Sequence, residues 1–237
     1  MKSDLNITKH ISKSYNDELE EVRLLLIKMG DMVLGQVRDG LTSLLKLDKE
    51  LAEQVIAHDK KVNQLEIKID EVCTNILATR QPAASDLRLV ICVIKTITDI
   101  ERIGDEAVKL SRNALKIIQS ENTLRQPNEL KHLGELVIEN LQEAIKAYAN
   151  FDVEHALKVI EQDQETDEEF DNITRLLITK MMEDPREIKN TLRISWCARA
   201  LERIGDHTTN VCEYLVFLVK GKDVRHTSLN KIKQRIE

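Results

Sequence analysis

The sequence predicts an all-α protein of two tandem, pseudo-repeated antiparallel three-helix bundles. Three observations predict it: few helix breakers, an internal repeat, and apolar seams spaced by three and four residues. The 237 residues include only 7 Gly, 3 Pro and 3% aromatic residues, against 42% hydrophobic and 32% charged. Sheet proteins need turn residues and lean on aromatic side chains, so this balance favours helix. A shift of 104 aligns Gly30 with Gly134, Val33 with Val137, Asp48 with Asp152, Ala52 with Ala156, Val55 with Val159, Asp59 with Asp163 and Ile69 with Ile173. The offset becomes 103 at Pro82 and Pro185, then 101 at two copies of ERIGD, residues 101–105 and 202–206.

The elements follow in order. Helices are expected over roughly 11–46, 48–79 and 84–119, then over 128–150, 152–182 and 186–220. Asp48 and Asp152 offer side-chain acceptors to the free N–H groups of the second helix of each unit. Pro82, Pro127 and Pro185 fall at breaks, where a missing N–H does least harm. Within 48–79, Leu51, Val55, His58, Val62, Leu65, Ile69, Val72 and Ile76 alternate spacings of four and three, the seam of an antiparallel bundle. His58 interrupts that seam and reads as a boundary residue with its polar edge in water. The polar stretch SENTLRQPN is aperiodic and joins the two bundles. The expected organisation is a first bundle over 8–120, a linker over 121–127, a second bundle over 128–220 and a basic tail over 221–237.

Acids lie beside these seams. Asp59, Asn63, Glu66 and Asp70 repeat the four-three-four spacing one residue after the apolar line, so they form a stripe about 100° round from the core. Glu101 with Asp105, and Glu202 with Asp206, stand the same way beside the lines Val90, Val93, Ile97, Ile100, Gly104 and Ile194, Ala198, Leu201, Gly205. Asp163 and Asp167 complete the second set on the preceding helix. Carboxylates four apart on a helix repel. Arg112 and Arg199 are candidates to neutralise them, whereas Arg102 and Arg203 point away. His207 is expected at the surface. Gly104 and Gly205 each cost about 1 kcal/mol in mid-helix relative to alanine, which close approach of the neighbouring helix would explain. Facing acid pairs supply hard oxygen ligands suited to Mg²⁺, Mn²⁺, Ca²⁺ or oxidised iron, rather than Zn²⁺ or copper. The same acids also suit a solvated face with intrahelical salt bridges.

Charge and motifs limit the function. The net charge of −6 disfavours a nucleic-acid binder. Residues 220–237 hold six cations against two acids, a terminus that is either frayed and solubilising or a contact for an acidic partner or membrane surface. Cys73, Cys92, Cys197 and Cys212 lack C-x-x-C spacing and read as free core thiols in a reducing cytoplasm. No stretch of about 18 apolar residues predicts membrane insertion. No phosphate loop, nucleophile elbow or paired E-x-x-H motif of a di-iron bundle is present, so no enzyme and no organic cofactor are expected. A carboxylate-bridged metalloenzyme is the alternative that the acid pairs leave open.

The duplicated ERIGD, together with DKKVNQLEIKID, RQPAASDLRLV and CARALERIGDHTTNVCEYLVFLVKG, resembles the PhoU family of phosphate-specific transport accessory proteins over about residues 8 to 226. The resemblance implies a cytoplasmic, non-enzymatic negative regulator of the phosphate-starvation response and of phosphate uptake. It further implies an adaptor between the ATPase subunit PstB of the phosphate ABC transporter and the sensor histidine kinase PhoR. Two similar three-helix bundles, homodimerisation and metal binding (Mg, Mn or Fe) at E/D-x-x-x-D motifs are implied as well. Carried onto this chain, the motifs are Glu101 with Asp105 and Glu202 with Asp206, opposed by Asp59 with Asn63 and Asp163 with Asp167. Asn63 leaves the first site one charge short of the second, so weaker metal binding is expected there.

Overall fold

The computed structural model describes residues 13–120, 128–225, 227, 231 and 232. Six α-helices account for nearly all of them: α1 (Lys13–Lys46), α2 (Lys49–Arg80), α3 (Ala84–Ile118), α4 (Asn128–Asn150), α5 (Val153–Glu183) and α6 (Ile188–Lys220). Expected and observed ends agree within about two residues wherever they can be compared. The start of the first helix and the 121–127 linker with Pro127 lie outside the described residues.

The local chemistry explains the boundaries. Asp48 and Asp152 are extended, and each side chain accepts from the backbone N–H three residues on, at 3.0 Å to Leu51 and His155. Each satisfies one of the helix's free donors. Before α6 the chain makes one 3-10 turn over Pro185–Glu187, where Asp184 accepts from the Arg186 N–H and Pro185 fills a position needing no donor. Gly221 closes α6 at φ 69° and donates to the Phe217 carbonyl at 2.8 Å. That left-handed C-terminal position favours glycine.

Each repeat folds as an antiparallel three-helix bundle, α1–α3 and α4–α6. Val55, Val62, Ile69 and Ile76 of the α2 seam are buried, and His58 is exposed. The bundles are not simply joined at the linker, however. α3 lies antiparallel against α6 and α1 against α4, so a single core draws on all six helices. Arg88 Nε donates to the Leu218 carbonyl at 3.0 Å at one end of the α3–α6 pair, and Arg193 Nη1 to the Lys116 carbonyl at 2.6 Å at the other. The cause is a second heptad line on α3: Cys92, Thr96, Asp99, Ile103, Glu106, Leu110, Asn113 and Ile117, all buried. Its repeat on α6 runs Arg193, Cys197, Ala200, Ile204, His207, Val211, Tyr214 and Leu218, buried or half-buried throughout. A helix with two such lines must bury two faces.

The tail is no frayed end over its described part. Val224 and Ile232 are buried in a small cluster with Val153 and Val216. All four cysteines are buried and unpaired, and burial pushes the Cys73 and Cys92 thiols up to about 12. No helix among the described residues is long and apolar enough to cross a membrane.

Candidate metal centre

In the second repeat α5 and α6 bring four acids together over a glycine. A Cβ on Gly205 would lie 3.0 Å from Asp163 Oδ1 and 3.3 Å from Thr166 Cγ2, so the bare backbone makes room for the Asp163 carboxylate. Thr209 Oγ1 donates to Asp163 Oδ2 at 2.9 Å and fixes it. Nearer the solvent, Asp167, Glu202 and Asp206 each present a carboxylate oxygen within 4.8 Å of the other two.

The repulsion within this set is only partly relieved. Burial, then Asp167, Asp206 and Glu202, raise the Asp163 pKa to about 6 against the pull of Thr209. Burial raises Asp167 and Glu202 as well, each with Asp206 as the next cause. It also raises Asp206, against His207, Arg199 and Arg203. Arg199 is the neutralising partner: Nη1 donates to Glu202 Oε1 at 2.8 Å while the guanidinium lies over the Phe170 ring. Glu202 Oε2 stays buried with no hydrogen bond. Hard carboxylate oxygens that repel one another, one of them desolvated and unpaired, fit a hard divalent cation or iron.

The first repeat is built differently. A Cβ on Gly104 would lie 3.2 Å from Gln36 Oε1 and 3.5 Å from Asp59 Oδ1, so this glycine also admits its neighbour's polar groups. Asn63 stands where Asp167 does, and its Nδ2 donates to Asp59 Oδ2 at 3.4 Å. Val62 replaces Thr166 and Val108 replaces Thr209, which removes both hydroxyls of the second site. Asp59 Oδ1, Asn63 Oδ1 and both polar atoms of Gln36 are buried without a hydrogen bond. Burial and Asp105 raise the Asp59 pKa, whereas Asn63, Gln36 and Arg112 lower it. Glu101 is raised by burial and then by Asp105, Glu66 and Asp59. Among the described residues, the first repeat brings no three ligand atoms together as Asp167, Glu202 and Asp206 are brought together.

Gln36, Thr166 and Thr209 lie outside the acid stripes that periodicity marks, although each differs from its counterpart in the other repeat, Asn140, Val62 and Val108. His207, expected at the surface, is instead half-buried. Its Nδ1 donates to Asp99 Oδ1 at 2.7 Å, with 18% of its side chain and 4% of that of Asp99 exposed. The helix rotation that takes His207 away from the acids beside it carries it onto the α3–α6 contact. Asn210 donates to the same Asp99 oxygen at 3.2 Å, and these partners hold Asp99 below the usual carboxylate range against its burial.

Fold and site define a duplicated helical protein with an acid-lined helix pair in each repeat. The family model of the PhoU domain matches residues 26–114 and again 130–215. The chain is 47% identical over 232 residues to a phosphate-specific transport system accessory protein PhoU homolog of Pseudomonas aeruginosa, covering 98% of this chain and 96% of that one. It is 44% identical over 224 residues to the accessory protein PhoU of Escherichia coli, covering 94% and 92%. The crystal structure of PhoU from Pseudomonas aeruginosa superimposes with a TM-score of 0.85 at 47% identity, over 88% of this chain and 100% of that one. The phosphate transport system regulatory protein PhoU from Streptococcus pneumoniae gives 0.82 at 30%, over 88% and 98%. The chain therefore belongs to the PhoU family.

Proposed function

We propose that this protein is a cytoplasmic negative regulator of the phosphate-starvation response and of phosphate uptake. It acts as an adaptor between the ATPase subunit PstB of the phosphate ABC transporter and the sensor histidine kinase PhoR, working as a homodimer. Near full-length likeness to the Escherichia coli accessory protein carries this reading. Metal at the α5–α6 acids, Mg²⁺, Mn²⁺ or iron, belongs to the same proposal. Its support is the convergence of Asp167, Glu202 and Asp206 with their raised pKa values.

The test is a strain lacking the chromosomal copy and carrying a phosphate-starvation reporter. In rich phosphate the reporter should be on without the protein and off when it is restored. A reporter that stays off without it would sink the regulatory reading. Metal content is measured separately, by elemental analysis of protein purified without chelator. The Glu202→Gln, Asp206→Asn double variant should lose the metal that the parent holds in stoichiometric amount.

A further inference from the structure

Helix α3 packs against α1, α2 and α6, and α6 packs against α3, α4 and α5. Each keeps one uncovered side, and the two sides adjoin, since Lys95 of α3 lies over the Tyr214 ring of α6. Helices of 35 and 33 residues make this shared face about 50 Å long.

Two features set the face apart. Five of the nine large hydrophobic side chains that stand exposed among the described residues lie on it: Leu87 and Ile91 of α3, and Ile188, Leu192 and Trp196 of α6. Because the helices are antiparallel, these fall at the two ends of the face. Trp196, the chain's only tryptophan, is 53% exposed. The charge around them is basic. α3 exposes Arg102, Lys109, Arg112 and Lys116 against Asp105, and α6 exposes four more cations, Arg203 among them, against Asp206. Eight cations to two acids reverses the balance of a chain whose net charge is −6. On α1, α4 and α5 the exposed acids outnumber the exposed cations. Asp105 and Asp206 stand at the margins of the face, beside the acids Asp59 of α2 and Asp167 of α5.

We propose that the α3–α6 face docks on an anionic lipid surface, with both helices parallel to the membrane plane and Trp196 at headgroup depth. Tryptophan beside leucine and isoleucine makes an amphipathic contact at the boundary of water and lipid. Arginine and lysine around it meet lipid phosphates while their stems lie on apolar surface. Other occupants fit this face less well. A second copy set against it by a two-fold axis would bring Arg102 and Arg203 onto cations of the same kind. A nucleic acid would take the charges and leave Ile91 and Leu192 without cover. A protein partner is held through side chains sunk in pockets, whereas Trp196 stands out into solvent. The association is peripheral, since no helix among the described residues is long and apolar enough to cross the membrane. It rests on neither the regulatory nor the metal reading.

Flotation of the purified full chain with vesicles tests the proposal. The chain should float with vesicles of equal parts phosphatidylglycerol and phosphatidylcholine, stay behind with phosphatidylcholine alone, and be released as salt rises from about 0.1 to 0.5 M. Trp196 emission should shift to the blue on the anionic vesicles and be quenched by phosphatidylglycerol brominated on its acyl chains. Arg102→Glu combined with Lys116→Glu changes two side chains that form no hydrogen bond or ion pair among the described residues. With circular dichroism and Tm matching the parent, this variant should partition roughly tenfold more weakly. Leu24→Ser, at an exposed apolar position on α1, should partition as the parent does. No flotation, equal binding to neutral vesicles, full binding by the charge-reversed variant, or flotation with Trp196 emission unchanged would each overturn the idea. A blue shift that grows with protein concentration without lipid would overturn it in favour of a second copy. Saturable binding of polyglutamate with no binding of vesicles would do so in favour of an acidic protein.

Discussion

Asp163 shows how a single carboxyl can tie stability to the site. Its pKa rises from 3.8 to about 6, so between those values the folded chain binds more protons than the unfolded one. Stability therefore falls as pH rises through that window and stays reduced above it, by roughly 3 kcal/mol at most. Asp163→Asn keeps an acceptor for Thr209 and removes the charge. It should stabilise the metal-free protein by about 2 kcal/mol at pH 7.5 and by almost nothing at pH 4. Urea denaturation in chelator at the two pH values measures both, and an equal gain at each would show that charge is not the cause. Asn63 is the complementary case. Asn63→Asp restores the carboxylate of the second repeat and should raise the first site's affinity for Mn²⁺ by roughly tenfold. Titration on an Asp206→Asn background, which weakens the other site, reads it directly.

The helices show which features the sequence makes legible. Caps and breaks were readable because Asp48, Asp152 and Pro185 act through the backbone within two or three residues. The acid stripes were readable because periodicity alone places Asp59, Asp163, Glu202 and Asp206 on facing sides of adjacent helices. The α3–α6 contact was not, because its heptad line is broken by Asp99, Glu106 and His207, which a hydrophobic count scores as surface. Each finds a charged partner at the contact: Asp99 pairs with His207, and Glu106 with Lys109 and Arg203, whose own side chains reach solvent. The pseudo-two-fold relation equates Glu106 with His207 and Arg102 with Arg203, so a symmetric pairing would set His207 against Arg102. Asp99 instead takes His207, an asymmetric solution that no single-repeat pattern reveals. Removing one partner of such a buried pair leaves the other uncompensated. Asp99→Ala should cost about 3 kcal/mol in urea unfolding at pH 7. Asp99 is held below its ordinary pKa, so its contribution is present above that value and is lost as pH falls through the lowered one. The variant's deficit should therefore shrink on acidification.

At the scale of the whole molecule, duplication has produced one cooperative body. Two bundles tied only by a linker would each bury a separate core and melt independently. Here Ile103, Leu110 and Ile117 of α3 are completely buried, and they belong to the same core as Cys197, Ile204 and Leu218 of α6. Separating the repeats would expose both lines, at about 25 cal/mol for each Å² of apolar surface. Neither bundle is then stable by the margin that the pair enjoys, and unfolding either one withdraws an essential wall from the other. Scanning calorimetry should accordingly give one transition, with calorimetric and van't Hoff enthalpies equal. The sharper measurement is hydrogen exchange in Ile204→Ala, a truncation on the second repeat's side of the contact. A shared core predicts that protection of α3 amides falls together with that of α6, although α3 carries no substitution. Loss confined to α4, α5 and α6 would mean that the repeats behave as separate units despite their packed faces.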